Sequence, residues 1–222
     1  MAGKISASMM CADLLHLERD IRLLEQCGVE YLHCDVMDGH FVPNWMLFPD
    51  LINRIAAVSS LPLDVHLMID EPARILPSLA LRPGDIVSLH AESTHHLQRA
   101  LAAVRAQGAS PALALNPATP LCMAEEVLPD FDMLLIMTVN PGYAGQKLVP
   151  QCIEKIRRAR ALLDAAGYAG TPIEVDGNCS LENVPKMIQA GAQVIVAGSS
   201  SIFDKRLGIA GGVRALRHSM EG

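Results

Sequence analysis

Residues 32–44 read LHCDVMDGHFVPN. Leu32, Cys34, Val36 and Met37 make this an apolar run with the character of a buried strand, yet His33 and Asp35 stand two apart within it. On a strand, such residues share one face. A carboxylate buried there is costly unless a cation or hydrogen-bond donors compensate. A group that offsets the Asp35 charge is therefore expected between these two side chains and the rest of the protein.

Similar runs recur along the chain. The expected strands are Ile5–Ser8, Tyr31–Val36, Leu63–Met68, Ile86–Leu89, Ala112–Leu115, Met133–Met137, Ile173–Val175 and Val194–Ala197. Helical spacing lies between them. Leu14, Leu17, Ile21 and Leu24 run to Gly28; Ile153, Ile156, Ala159 and Leu163 run to Gly167; Met187 and Ile188 run to Gly191. Eight strand–helix units with short links imply parallel pairing and right-handed crossovers. They close most simply into a single (β/α)8 TIM barrel, with an open doubly wound sheet as the alternative. No linker rich in Pro, Gly or Ser interrupts residues 1–222, which read as one domain.

Half of the 222 residues are hydrophobic, enough for a sizeable core. The formal charge is -6 and no basic run occurs, which argues against a nucleic-acid partner. An anionic ligand would need local donors rather than the overall field. Cys11, Cys27, Cys34, Cys122, Cys152 and Cys179 form no CxxC pair and read as reduced thiols. With no leader pattern and no membrane-length apolar run, the expectation is a cytoplasmic protein away from membranes.

Barrel active sites lie where strands end. His33, Asp35, His66 and Asp176 come from the ends of three strands. Two imidazoles and two carboxylates suit one divalent ion: Zn, Fe, Mn or Co. For a single histidine, a core residue bonded to a backbone carbonyl is the better reading; four ligand types at matching strand ends favour the metal. Two aspartates beside a metal suggest proton transfer at carbon. One carboxylate removes a proton and the other returns one to the opposite face, inverting a stereocentre. Met37, Met68 and Met137 form either an apolar lid over this site or ordinary core filling, and spacing does not decide between them. Loops with Gly142, Tyr143, Ala144 and Gly145, with Gly177 and Asn178, and with Gly198, Ser199 and Ser200 follow the last three strands. Together they suit a phosphate held by backbone N–H groups. His90 ends the fourth strand and reads as structural, at the cavity border. His16, His40, His95, His96 and His218 read as surface or loop residues.

The stretches HCDVMDGHFVPN, LPLDVHLMIDEP, LALNPATP, LLIMTVNPGYAGQKLVP, IEVDGN and AGAQVIVAGSSSIF, in that order, resemble the ribulose-phosphate 3-epimerase family. The resemblance runs from about Ile5 to Phe203. It implies a (β/α)8 barrel and a metal-dependent 3-epimerase of a phosphorylated ketose, working through a cis-enediolate. It implies His33, Asp35, His66 and Asp176 as metal ligands and Asp35 and Asp176 as the acid/base pair. It also implies Met37, Met68 and Met137 as the cap on the enediolate. Ser8 and His66 then contact substrate, and residues 142–145, Gly177, Asn178, Gly198, Ser199 and Ser200 hold its phosphate end. A homo-oligomer, dimer or hexamer, is implied as well.

Some positions depart from the pentose-phosphate pattern. Asn178 stands where a second glycine is usual, the segment 198–203 looks one residue longer, and Met10-Cys11 replaces a Leu-Ser-like pair. These features lean toward the allulose-6-phosphate 3-epimerase branch, with ribulose-phosphate 3-epimerase as the alternative. A non-catalytic sugar-phosphate-binding barrel is the alternative of another class. Decarboxylases of this shape want a lysine amid the aspartates and aldolases a lysine inside a strand; no lysine is seen at any strand end, so both fall behind. Trp45, Met46 and Phe48 match neither branch; a subunit contact is the plain reading of Trp45.

Overall fold

The computed structural model describes residues 3–221. Its strands are β1 Lys4–Ser8, β2 Tyr31–Asp38, β3 Trp45–Met46, β4 Leu63–Met68, β5 Ile86–His90, β6 Ser110–Leu115, β7 Met133–Met137, β8 Ile173–Asp176 and β9 Val194–Ala197. The helices are α1 Leu17–Gln26, α2 Pro49–Val58, α3 Leu97–Ala106, α4 Cys122–Glu125, α5 Gln151–Ala165, α6 Val184–Gln189 and α7 Gly208–Glu221. Neighbouring strands follow the order β1-β9-β8-β7-β6-β5-β4-β2, and a β1–β2 pairing closes the ring. All eight pairings are parallel. This is the closed barrel expected from the eight runs, and the open sheet is excluded.

Three local expectations needed correction. The crossover from β4 to β5 contains no α-helix but two 3₁₀ turns, Pro72–Arg74 and Leu76–Ser78. Pro72, Pro77 and Pro83 deny this segment the donors and backbone freedom of a helix. The first helix starts at Leu17, not near Leu14, which is left exposed. Asp13 instead folds the preceding residues into a turn, accepting from the Leu15 amide at 3.1 Å and meeting His16 Nδ1 at 2.8 Å. β2 runs on to Asp38, because β3 pairs antiparallel with its end through Met37↔Met46 and Asp38↔Trp45.

Alternation along each strand sorts the interior into two populations. Leu32, Cys34, Val36, Leu63, Val65, Leu67, Leu113, Leu134, Ile136 and Val175 point outward into one apolar shell with the helices. Ile21 and Leu24 of α1 and Ile156, Ala159 and Leu163 of α5 complete that shell. Each fully buried Leu or Ile there contributes roughly 1.5–3 kcal/mol. The lumen is different. Ile86, Ala112, Met133 and Val194 plug its lower end. Above that plug lie Ser6, His33, Asp64, Ser88 and Glu174, all with no solvent exposure. Ser8, Asp35, His66, His90 and Asp176 continue the polar column toward the carboxyl ends of the strands.

Candidate active site

Strand register builds the site. Asp35 of β2 pairs with His66 of β4, and His33 lies opposite Asp64 one step below. Met137 of β7 pairs with Asp176 of β8. His33 Nε2 lies 3.2 Å from Asp35 Oδ1 and 3.9 Å from Asp176 Oδ2. His66 Nδ1 lies 3.3 Å from Asp35 Oδ1 and 3.7 Å from Asp176 Oδ2. One donor atom from each of the four residues falls within 4.8 Å of the others. An ion with bonds of about 2.0–2.2 Å can bridge such a set after small adjustments. His33 Nε2 is buried and has no hydrogen-bond partner, although its ring faces both carboxylates. An unpaired imidazole nitrogen inside an acidic cluster is what a cation would satisfy, so the cluster fits a divalent ion.

The charges are polarised. Burial favours a neutral His33, but Asp64 and Asp35 outweigh it and raise its pKa well above the ordinary value. Burial likewise opposes ionisation of Asp35, yet His33 and His66 hold it below the usual carboxylate range. Asp176 is pushed up to about 6, first by burial and then by the Asp35 charge. The two aspartates therefore differ in proton affinity, as a base and an acid should.

Beneath them is a layer that the sequence reading did not single out. Asp64 Oδ2 accepts from Ser6 Oγ at 2.7 Å and meets His33 Nδ1 at 2.6 Å. Glu174 Oε1 lies 4.0 Å from His33 Nδ1. As two carboxylates, Glu174 and Asp64 would leave Oε1, Oε2 and Oδ1 without a donor. A proton on Glu174, donated to Asp64, satisfies two of these three atoms. Accordingly, burial and then the Asp64 charge drive the Glu174 pKa well above its ordinary value. The signal was present in the sequence: Asp64 precedes His66 by two residues, and Glu174 precedes Asp176 by two, repeating the His33/Asp35 interval.

The cavity above encloses about 580 Å³, its open mouth included. Ser8, Asp35, Met37, Met68, Met137 and Asp176 line it, as do residues 142–145, Gly177, Asn178 and residues 198–200. Ser8 Oγ donates to Asp35 Oδ2 at 3.2 Å. His33 and His66 are fully buried behind this wall and are not part of it. Met37 and Met68 pack with Val42, while Met137 packs separately with Ala114 and Leu135.

The glycine-bearing loops are braced. Asn44 Nδ2 donates to the Gly142 carbonyl at 2.8 Å, and the Tyr143 hydroxyl donates to the Pro43 carbonyl. Asn178 Nδ2 donates to the Gln146 carbonyl at 2.6 Å, and its Oδ1 accepts from Asn183 Nδ2 at 2.7 Å. Gly177 has φ +116°, and a Cβ there would lie 2.5 Å from Val139 Cγ2 and 2.8 Å from the Val139 amide nitrogen. Only glycine fits that turn.

His90 is fully buried against His66 and does not line the cavity, its ring 4.8 Å from that of Phe41. Burial pushes its pKa down to about 4. His16, His40, His95, His96 and His218 are exposed, as read from the sequence. Trp45 lies over Gly39, with the ring about 2.6 Å from where a Gly39 Cβ would stand, and remains 73% exposed. Among the described residues, no helix is long and apolar enough to cross a membrane. All six cysteines are free.

Residues 4–203 match the Ribulose-phosphate 3 epimerase family. The Bacillus subtilis (strain 168) ribulose-phosphate 3-epimerase is 43% identical over 197 residues, covering 89% of this chain and 91% of the relative. The Escherichia coli (strain K12) ribulose-phosphate 3-epimerase is 36% identical over 202 residues, covering 90% and 89%. Among solved structures, KGPDC from Streptococcus mutans superposes with a TM-score of 0.74 at 11% identity, covering 100% of this chain and 98% of that one. A 3-hexulose-6-phosphate synthase from Salmonella typhimurium gives 0.70 at 15% identity, covering 98% of each. At such identities, these two likenesses support the barrel fold alone.

Proposed function

The chain belongs to the ribulose-phosphate 3-epimerase family, and we propose that it inverts carbon 3 of a phosphorylated ketose through a cis-enediolate. The observation that carries this reading is the pair of carboxylates, Asp35 and Asp176, on the cavity wall with two buried imidazoles behind them. In the proposed reaction, one aspartate takes the C3 proton from one face and the other delivers a proton to the opposite face. When bound by His33, Asp35, His66 and Asp176, a divalent ion (Zn, Fe, Mn or Co) supplies the positive charge that makes a C3–H beside a carbonyl acidic. Met37, Met68 and Met137 exclude water over the planar intermediate, so that its proton comes from a carboxylate. Ser8 orients the sugar. The amides of residues 142–145, 177–178 and 198–200 hold the phosphate, which explains how an acidic protein binds an anion.

The names of the relatives favour ribulose 5-phosphate and xylulose 5-phosphate as the substrate pair. A second reading, allulose 6-phosphate and fructose 6-phosphate, is supported by Asn178. It takes a left-handed φ of +50° and ties the sixth-unit loop to the seventh, where the pentose pattern has glycine. Comparing kcat/KM on the two ketose phosphates separates the readings. Asp35→Asn and Asp176→Asn are each expected to abolish solvent exchange at C3 in at least one direction. Full exchange in both variants would overturn the acid/base assignment. Binding of either ketose phosphate without exchange in the unaltered protein would instead indicate a non-catalytic barrel. The proposal extends to a cytoplasmic homo-oligomer. Free thiols support the compartment, and exposed Leu15, Trp45 and Phe48 support assembly, which sedimentation velocity resolves as monomer, dimer or hexamer.

A further inference from the structure

His66 has two ring nitrogens, and only one faces the carboxylates. The other, Nε2, lies 2.8 Å from Nε2 of His90. Both rings are fully buried and stacked, with centroids 5.0 Å apart and planes 24° apart. One proton must lie between the two nitrogens, and its owner decides which nitrogen of His66 is bare. The remaining nitrogen of His90, Nδ1, lies 3.2 Å from Glu92 Oε2. Glu92 is committed on its other side, where Oε1 accepts from the Asn116 amide at 2.9 Å and from the Thr119 hydroxyl. Lys155 fixes that loop by donating to the carbonyls of Asn116 at 2.5 Å and Thr119 at 2.6 Å.

The direction of the chain of bonds follows from these partners. An ionised carboxylate accepts only, so Glu92 requires a proton on His90 Nδ1. A neutral His90 then presents a bare Nε2, which accepts from His66 Nε2–H. His66 Nδ1 also lies 3.3 Å from Asp35 Oδ1, which claims a proton there in the ion-free protein; a divalent ion held by both residues would remove that claim and leave Nδ1 bare. We propose that Glu92 and His90 are positioning residues that lock His66 in its Nε2–H tautomer and keep Nδ1 free to bind a divalent ion. The inference rests on the reading of His66 as a metal ligand and extends it outward, to loops after β5 and β6 that touch no reacting atom.

Glu92→Gln tests it. An amide must turn its NH₂ toward either His90 Nδ1 or the Asn116 amide. Facing His90 costs one clash and preserves both bonds at the other oxygen, and it drives the His90 proton to Nε2. His66 would then hold its proton on Nδ1. Long-range ¹H–¹⁵N spectra of the Zn²⁺-loaded, histidine-labelled protein should show Nε2–H on His66 and Nδ1–H on His90, whereas His90 should carry Nε2–H in Glu92→Gln. Chelator competition with Zn²⁺ and Mn²⁺ should show affinity weakened about 10- to 100-fold in the variant. Thr119→Val, which keeps the carboxylate, should stay within about threefold of the unaltered protein. A proton on His90 Nε2 in the Zn²⁺-loaded unaltered protein, or metal affinity unchanged by Glu92→Gln, overturns the proposal. If Glu92→Gln fails to fold, the spectrum of the unaltered protein decides. If the unaltered protein binds neither ion, the metal reading falls, and with it the role given to this relay.

Discussion

Glu174→Gln isolates a single buried proton. Glu174 has no solvent exposure, and its only nearby negative neighbour in the lower layer is Asp64, already engaged with His33 and Ser6. In the folded chain its pKa lies well above the ordinary 4.5, whereas the unfolded chain titrates near that value. Below pH 4.5 both states hold the proton and the residue costs nothing. Above it, only the unfolded state releases the proton, so stability falls as pH rises, until the folded pKa is reached. Each pH unit in that window is worth about 1.4 kcal/mol. Glutamine matches the protonated acid in size, donates the same hydrogen bond to Asp64, and does not titrate. Relative to the unaltered protein, Glu174→Gln should therefore start near parity below pH 4.5 and gain stability as pH rises above it, by at most about 1.4 kcal/mol per unit. Urea unfolding of chelator-treated protein at pH 5, 6 and 7, followed by circular dichroism, reads the difference. A stability difference that stays flat with pH, or that shifts toward the unaltered protein, would refute the neutral-glutamate account.

Other consequences are open to measurement. Gly177→Ala combines a left-handed backbone with a Cβ driven into Val139, at about 1–3 kcal/mol for each effect. Its melting temperature should drop by several degrees, with KM for the ketose phosphate rising more than kcat falls. Lys155→Met removes a donor from the half-buried carbonyls of Asn116, which keeps only the Thr119 amide at 3.1 Å, and of Thr119, at about 1–3 kcal/mol; protease cleavage between residues 116 and 120 should accelerate. Because Asp176 takes up a proton at about pH 6 in the ion-free protein, affinity for a divalent ion should decline from pH 7 to pH 5, measurable as proton release on Zn²⁺ titration.

Much of the barrel was legible because its strands announce themselves twice, as short apolar runs and as runs ended by polar residues. Ile86–Leu89 and Met133–Met137 carry that double mark, and the strands match to within a few residues. His33, Asp35, His66 and Asp176 were legible because a polar residue inside an apolar strand demands a partner. What escaped depended on three-dimensional neighbours. β3 exists only because Trp45 and Met46 fold back on β2, and a two-residue strand has no period to detect. Asp64 and Glu174 carried the same two-residue interval as Asp35 but needed the register of β2, β4 and β8 to show that they meet. Glu92 lies outside any strand, and nothing local to it marks its bond to His90. The β4–β5 crossover was misjudged because a helix was assumed between every pair of strands, against the evidence of three prolines.

The tie between Asn44 and Gly142 joins segments 98 residues apart in sequence. In the closed ring, β2 and β7 stand four strands apart in either direction, so the bond stretches straight across the barrel's mouth. Traffic in and out must pass to one side of this bar, or wait for it to part. Opening then belongs to neither segment alone: loosening either anchor releases both, and departure of product becomes a joint property of two distant stretches of chain.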